Sequence, residues 1–432
     1  DVPLPDDPTR PRNVKAQSLS VLNRASMAIT VPNNPDQLAD EAATKSRERR
    51  ALGVACGAHV LHDGYTDLIW IALPIWQAEF GLSYAAVGLL RMIYSGTMAG
   101  LQIPASYIAG RVGGRAVLAA GTGLCGLCYC LAGLGHGYWS LVAALFLGGL
   151  GAATQHPIGS ALVTRVFTGA RALTAFGIYN FAGDAGKVLL PASATMLMLF
   201  MPWRPAYGLL GFLGIAGAIA IFALSPRLPA ESAAAHNAQS MSPVDGARLR
   251  SGFYVLVALG IIDSVVRGAF FVLLPFLLIG KGATVITAGM ALTLVFVGGA
   301  AGKFACGWIV RWIGMLATIV AAAVLTAVGV LAVLMLPLAF ALPLLPLLGI
   351  ALNGVTTVFY GSVPNYAKPE RRTHALSVFY TITIGSAALS PPLSGLAGDL
   401  IGIPGAIIVV SLLTLANIPL AFVLKRESGE LI

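Results

Sequence analysis

His59, Asp63 and Asp67 recur every four residues, which on a helix makes one stripe over two turns. Two carboxylates on one stripe repel when both are ionised, and desolvation in an apolar medium adds to the repulsion, so one of them is driven to hold a proton. A histidine in the same stripe exchanges protons near neutrality. The predicted chemistry is proton coupling, with Asp63 as carrier and His59 and Asp67 beside it. His62 points elsewhere, off the stripe, and is given little weight. The competing structural reading has Asp63 capping a break near Gly64 and Asp67 paired with Arg91.

Asn180, Asp184, Lys187 and Pro191 fall at i, i+4, i+7 and i+11, again one helical face. Asp184 and Lys187 are spaced to pair. A pair that opens when an anion reaches Lys187 couples binding to a rearrangement, because Asp184 then needs a proton or another cation. A pair that never opens is structural. Asp263 and Arg267 repeat the pattern. His156 precedes Pro157, whose missing N–H leaves carbonyls exposed. It can touch substrate, pass a proton, or bond a freed carbonyl. The candidate substrate-binding residues are Lys187, Asp184, His156, Arg267, Asp263, Arg91, Asn180 and Tyr360, with Tyr179 and Tyr380 ranked behind them.

These residues must be held by elements that are themselves apolar. Of 432 residues, 57% are hydrophobic and 10% charged, far from a soluble domain's roughly 25% charged. Unbroken apolar runs exclude an outer-membrane barrel, whose strands alternate. Runs at about 51–78, 85–110, 115–135, 138–164, 172–200, 205–224, 252–280, 284–309, 315–336, 339–363, 373–398 and 404–424 each approach the ~20 residues that cross a bilayer. The expected fold is an all-α membrane protein of twelve transmembrane helices. Asp63, Asp67, Asp184 and Asp263 then sit inside spans with Arg91, Lys187, Arg267 and Lys303. At about 2.5–3.5 kcal/mol for each charge in hydrocarbon, they must pair or border water.

The domain boundaries expected are a disordered polar head at 1–50, a six-helix bundle at 51–224, a linker at 225–250, a second bundle at 251–424 and a tail at 425–432. Residues 1–26 read as upstream sequence ahead of a start at Met27. The connectors on one side carry Arg111, Arg115, Arg165, Arg171, Arg227, Arg248, Arg250, Arg311, Lys368, Arg371 and Arg372, against Arg204 and Lys281 on the other. The excess marks the cytoplasmic side and places both termini there. The net charge of +9 is therefore a topology signal, and no nucleic-acid partner is expected.

The halves repeat. A shift of 201 residues brings Leu73-Pro74 onto Leu274-Pro275 and Ser106–Gly113 onto Gly307–Gly314, and a shift of 203 pairs Ala172–Phe176 with Ala375–Phe379. Two six-helix units about a pseudo-two-fold axis imply a central cavity and rocking access. Over 51–424 the chain resembles the major facilitator superfamily. Gly110-Arg-Val-Gly-Gly-Arg115 is similar to that superfamily's basic loop, although Gly110, and Arg311 in the second copy, stand where its acidic residue belongs. Three segments, Ala58–Asp63 running to Pro74–Phe80, Gly151–Pro157 and Ala182–Gly186, resemble the fosmidomycin-resistance branch of drug efflux transporters. The resemblance marks His59, Asp63, His156 and Pro157, and it implies proton-driven export across a bacterial inner membrane.

Gly121-Thr-Gly-Leu-Cys-Gly126 matches a dinucleotide pattern without the preceding strand it needs. Cys125, Cys128 and Cys130 do not share a face, and all five cysteines lie in apolar stretches as packing residues. No enzyme motif, cofactor or metal site is expected. The reading is a proton-coupled exporter of a small anionic or zwitterionic compound. Its alternative is an anion uptake symporter or exchanger, and a third possibility is a non-transporting receptor or enzyme.

Overall fold

The computed structural model describes residues 35–167, 169–226, 251–367 and 371–428. Residues 1–34, the linker stretch 227–250 with Arg227, Arg248 and Arg250, the loop residue Lys368 and the tail beyond Ser428 lie outside the described residues. Among the described residues the fold is helical, with a single 3₁₀ turn at Val363–Tyr366. The helices are α1 (Pro35–Phe80), α2 (Tyr84–Val112), α3 (Gly114–Leu134), α4 (Tyr138–Val166, broken by a turn at 153–154), α5 (Gly169–Leu197) and α6 (Trp203–Leu224). The second half has α7 (Ser251–Gly280), α8 (285–313), α9 (315–335), α10 (Leu338–Ser362), α11 (372–401) and α12 (403–428). The twelve helices among the described residues occupy the twelve predicted spans.

One boundary departs from expectation. The head was expected to be disordered to Arg50, yet Pro35–Arg50 is helical. Pro35 opens the helix at the position where its missing N–H costs nothing. The following Ala-, Glu-, Lys- and Arg-rich stretch has strong helix propensity without any apolar period. Pro35–Arg47 is a small unit in itself, and the chain from Glu48 onward is one compact unit.

Among the described residues, seven continuous helical stretches are long and apolar enough to cross a membrane, two of them double across Gly314 and Gly402. The three helices outside that set, α1, α2 and α5, are those bearing His59–Asp67, Arg91 and Asp184–Lys187. Large apolar side chains such as Phe200, Phe212, Ile219, Leu325, Phe340 and Leu400 are exposed, as an outer face bathed in lipid requires. The duplication shows in the backbone. Gly81 and Gly282, and Gly113 and Gly314, all adopt positive φ at the same 201-residue offset. Each pair ends equivalent helices of the two halves with a turn that L side chains resist.

The halves meet where α2 packs on α11 and α5 on α8. The tight contacts lie at the end poor in arginine. A Cβ on Gly88 would meet the Pro391 carbonyl oxygen at 2.3 Å, and one on Gly395 the Tyr84 carbonyl oxygen at 2.2 Å. Asp399 accepts from the backbone N–H groups of Tyr84 and Ala85 at 2.9 Å each, so a carboxylate of the second half caps α2 of the first. Loss of such a cap costs about 1 kcal/mol, roughly a fivefold shift in an equilibrium. Asp399→Ala is expected to raise the population separated at this end about fivefold. Distances between spin labels at Leu82 and Leu400 measure that population, and an unchanged distribution would leave the contact without conformational weight.

Candidate functional site

Two glycines set the site. A Cβ on Gly186 of α5 would meet the Val60 carbonyl oxygen at 2.1 Å, and one on Gly183 would meet Asp63 Oδ2 and His59 Nε2 at 2.7 Å. Only glycine lets α5 lie against the polar stripe of α1. His59 Nδ1 donates to the Tyr179 carbonyl at 2.8 Å, and the Tyr179 ring stacks on the imidazole at 4.1 Å. With the proton fixed on Nδ1, a neutral His59 turns a bare Nε2 toward Asp63 Oδ1, 3.4 Å away. One additional proton fits between these two atoms.

The other oxygen of Asp63 begins a chain of charges. Lys187 Nζ lies 3.2 Å from Asp63 Oδ2 and 3.4 Å from Asp184 Oδ1. Lys303 Nζ, from α8 in the second half, reaches the same Asp184 oxygen at 2.5 Å. The cation that Asp184 requires if Lys187 leaves is therefore already in place. Lys303 stood in the sequence only as one more intramembrane charge, because nothing in local spacing relates α5 to α8. Two carboxylates and two ammonium groups cancel, which answers the cost of burying them.

His62 corrects the sequence reading. It is 5% exposed, and its Nε2 lies 3.3 Å from His156 Nε2 and 3.7 Å from Asp63 Oδ1. The signal was its spacing, since a residue three after His59 and next to Asp63 neighbours the stripe on the helix surface without lying in it. His59 turns to α5, whereas His62 turns to α4 and meets His156. The donor atoms of His62, Asp63 and His156 lie within 4.8 Å of one another, a spacing a cation can also use. The Lys187 ammonium beside Asp63 opposes a metal cation there.

In the second half, Asp263 Oδ2 accepts from Arg267 at 2.9 Å and from Thr356 at 3.0 Å, and Arg267 also reaches Thr356 Oγ1 at 2.5 Å. Tyr360 Oη lies 2.9 Å from Thr383 Oγ1, and its ring centroid is 5.9 Å from that of Tyr380. Other candidates stand apart. Asp67 accepts from Trp70 Nε1 at 3.0 Å, and the Arg91 guanidinium lies over the Trp70 ring at 4.4 Å. The indole thus stands where the sequence suggested a direct pair, and no Asp67–Arg91 ion pair occurs among the described residues. Asn180 is exposed and outside the charge chain. Gly121 and Gly126 lie inside α3 as packing residues against α4 and α6.

The sequence profile of the Major Facilitator Superfamily matches residues 55–359 and again 256–431. The chain belongs to this superfamily. It is a multi-pass membrane transporter and not an enzyme. Among its relatives, a probable L-galactonate transporter of Escherichia coli K12 is 26% identical over 200 residues, 46% of this chain and 44% of that protein. The fosmidomycin resistance protein of the same organism is 25% identical over 178 residues, 39% and 42% of the two chains. The multidrug resistance protein MdtL of Shigella dysenteriae is 24% identical over 184 residues, 42% and 47%. The matched stretches thus span less than half of each of these relatives. A bacterial homologue of the human lysosomal transporter Spinster, solved inward-facing and occupied, superposes with a TM-score of 0.73 at 16% identity over 88% of this chain and 97% of that one. The transporter shares that fold.

Proposed function

We propose that this transporter is a proton-coupled secondary carrier that exports a small organic anion or zwitterion by alternating access. The bundles 51–224 and 251–424 rock about the central site, and both termini face the cytoplasm from the inner membrane. The carrying observation is the chain Asp63–Lys187–Asp184–Lys303 that bridges the two halves. A proton taken up between His59 and Asp63 weakens the hold of Asp63 on Lys187. Once that proton has left, Lys187 and Lys303 serve a substrate anion that displaces Asp184, and the transporter's own ion pairs are remade when the anion leaves. For export, a cationic group on the substrate takes the proton's place at Asp63 or Asp184, so that substrate and proton bind in alternation. The names of the fosmidomycin and multidrug resistance relatives support this direction.

A second reading rests on the charge count. For a substrate that is purely anionic, an anion on the lysines is balanced when Asp63 is protonated, so proton and anion bind together and uptake by symport follows. The relative named as an L-galactonate transporter supports this direction. Transport in proteoliposomes under pH gradients of either sign, with a panel of phosphonates, sugar acids and lipophilic cations, separates the readings by the sign that drives accumulation. Failure of both gradients to move any acidic or zwitterionic member would overturn the proposal.

A further inference from the structure

Beside His62 a small cavity lies among α1, α3 and α4. It is lined by His62, Tyr65, Thr122, Cys125, Thr154 and Gln155. Two of its lining residues carry buried polar atoms with no hydrogen-bond partner: His62 Nδ1 and both the Nε2 and Oε1 of Gln155. Gln155 is 3% and His62 5% exposed. An unmade hydrogen bond on a buried group costs about 1–3 kcal/mol, and a polar cavity of one-water size with several donors and acceptors is where ordered water binds.

The second half holds the matching cavity at the 201-residue offset. Asp263 takes the place of His62, Val266 of Tyr65, Ala323 of Thr122, Thr326 of Cys125 and Val355 of Thr154. At the position equivalent to Gln155, Thr356 bonds directly to Asp263 and Arg267. The fold thus places a polar partner from the fourth helix of each half beside a titratable residue on the first. In the second half the partner bonds its target, whereas in the first half Gln155 and His62 line the same cavity with no hydrogen bond between them.

We propose that the first-half cavity binds a water molecule between His62 Nδ1 and the Gln155 amide, making Gln155 a positioning residue for His62. The water accepts from Nδ1–H and donates to Gln155 Oε1, which leaves His62 Nε2 bare toward His156 and Asp63. His156 Nε2–H then donates to it across the 3.3 Å gap. A proton that reaches His62 Nε2 is held while Nδ1–H keeps its bond to the water. The titratable and charged groups around His62 are His59, Asp63 and Tyr65 on its own helix, Cys125 on α3, His156 on α4 and Lys187 on α5.

X-ray radiolytic labelling of the full chain in lipid nanodiscs tests the water, because trapped water generates hydroxyl radical at the residue beside it. Cys125 and Cys128 share α3 and are 2% and 0% exposed, but only Cys125 lines the cavity. Cys125 is expected to be modified at least fivefold faster than Cys128 in the wild type. Gln155→Leu should bring it down to the Cys128 rate, and Thr122→Val, a near-isosteric change, should lower it at least twofold if Gln155→Leu does not fold. Equal rates in the wild type would overturn the site. The positioning role rests on the proposed proton coupling and has its own readout, a shift of about one pH unit in half-maximal transport of whichever panel compound moves. An unshifted profile in a variant that has lost Cys125 labelling would overturn that role, whereas absence of any proton coupling leaves the labelling result standing.

Discussion

Asp63→Asn is expected to abolish accumulation driven by a pH gradient while leaving counterflow exchange of the same compound. A one-unit gradient coupled one-to-one sustains about a tenfold concentration ratio, and the variant should reduce that ratio to one. The substitution removes the atom that shares a proton with His59 Nε2 at 3.4 Å and the carboxylate that holds Lys187 at 3.2 Å. Lys187 keeps Asp184 at 3.4 Å, so no ammonium is left buried alone and the fold should survive. Exchange, which carries no net proton, needs only the substrate contacts. Undiminished accumulation would remove Asp63 from the mechanism and return the proton to Asp67 or to the His62–His156 pair.

Much of this site was legible in the chain because its parts are local. The i, i+4 spacing of His59 and Asp63, the i, i+3 spacing of Asp184 and Lys187 and the i, i+4 spacing of Asp263 and Arg267 each became a contact, since helical periodicity alone decides which side chains neighbour one another. The spans were legible for a similar reason, because apolar length is a property of a segment and not of its partners. What spacing cannot carry is the choice of helix that faces each stripe. Lys303 meets Asp184 across the two halves, His62 turns to α4 while His59 turns to α5, and Trp70 comes between Asp67 and Arg91. All three follow from tertiary packing. The glycines are intermediate: Gly183 and Gly186 fall in a segment, Ala182–Gly186, that carries the family resemblance, and their cause, the approach of α5 to Val60 and Asp63, emerges only when both helices are in place.

Lys303→Gln and Lys187→Gln are each expected to weaken binding of acidic compounds by tenfold or more while changing neutral ones little, because a hydrogen bond to a charged group contributes about 1.5–3 kcal/mol. Lys303→Gln leaves both Asp184 and Asp63 their contacts with Lys187, so thermal stability should change modestly, whereas Lys187→Gln leaves Asp184 with Lys303 but Asp63 with only histidines and should cost more. The double substitution is different. It strands Asp63 and Asp184, whose side chains are 11% and 13% exposed, and breaking buried pairs from one side costs about 3–5 kcal/mol. The double variant should therefore lose much of its folded yield. Adding Asp63→Asn and Asp184→Asn should restore that yield by removing the stranded charges, yet it should not restore binding of acidic compounds, because the cations are gone. Thermal-shift assays follow the first quantity and equilibrium binding of phosphonates and sugar acids the second. A quadruple variant that regained both would show that the lysines only balance the aspartates. Equal loss of acidic and neutral compounds in the single variants would likewise make the chain a structural bridge between the halves. Recovery of stability alone would separate the two duties of the chain, with charge balance holding the fold and the surplus reach of Lys187 and Lys303 holding the anion.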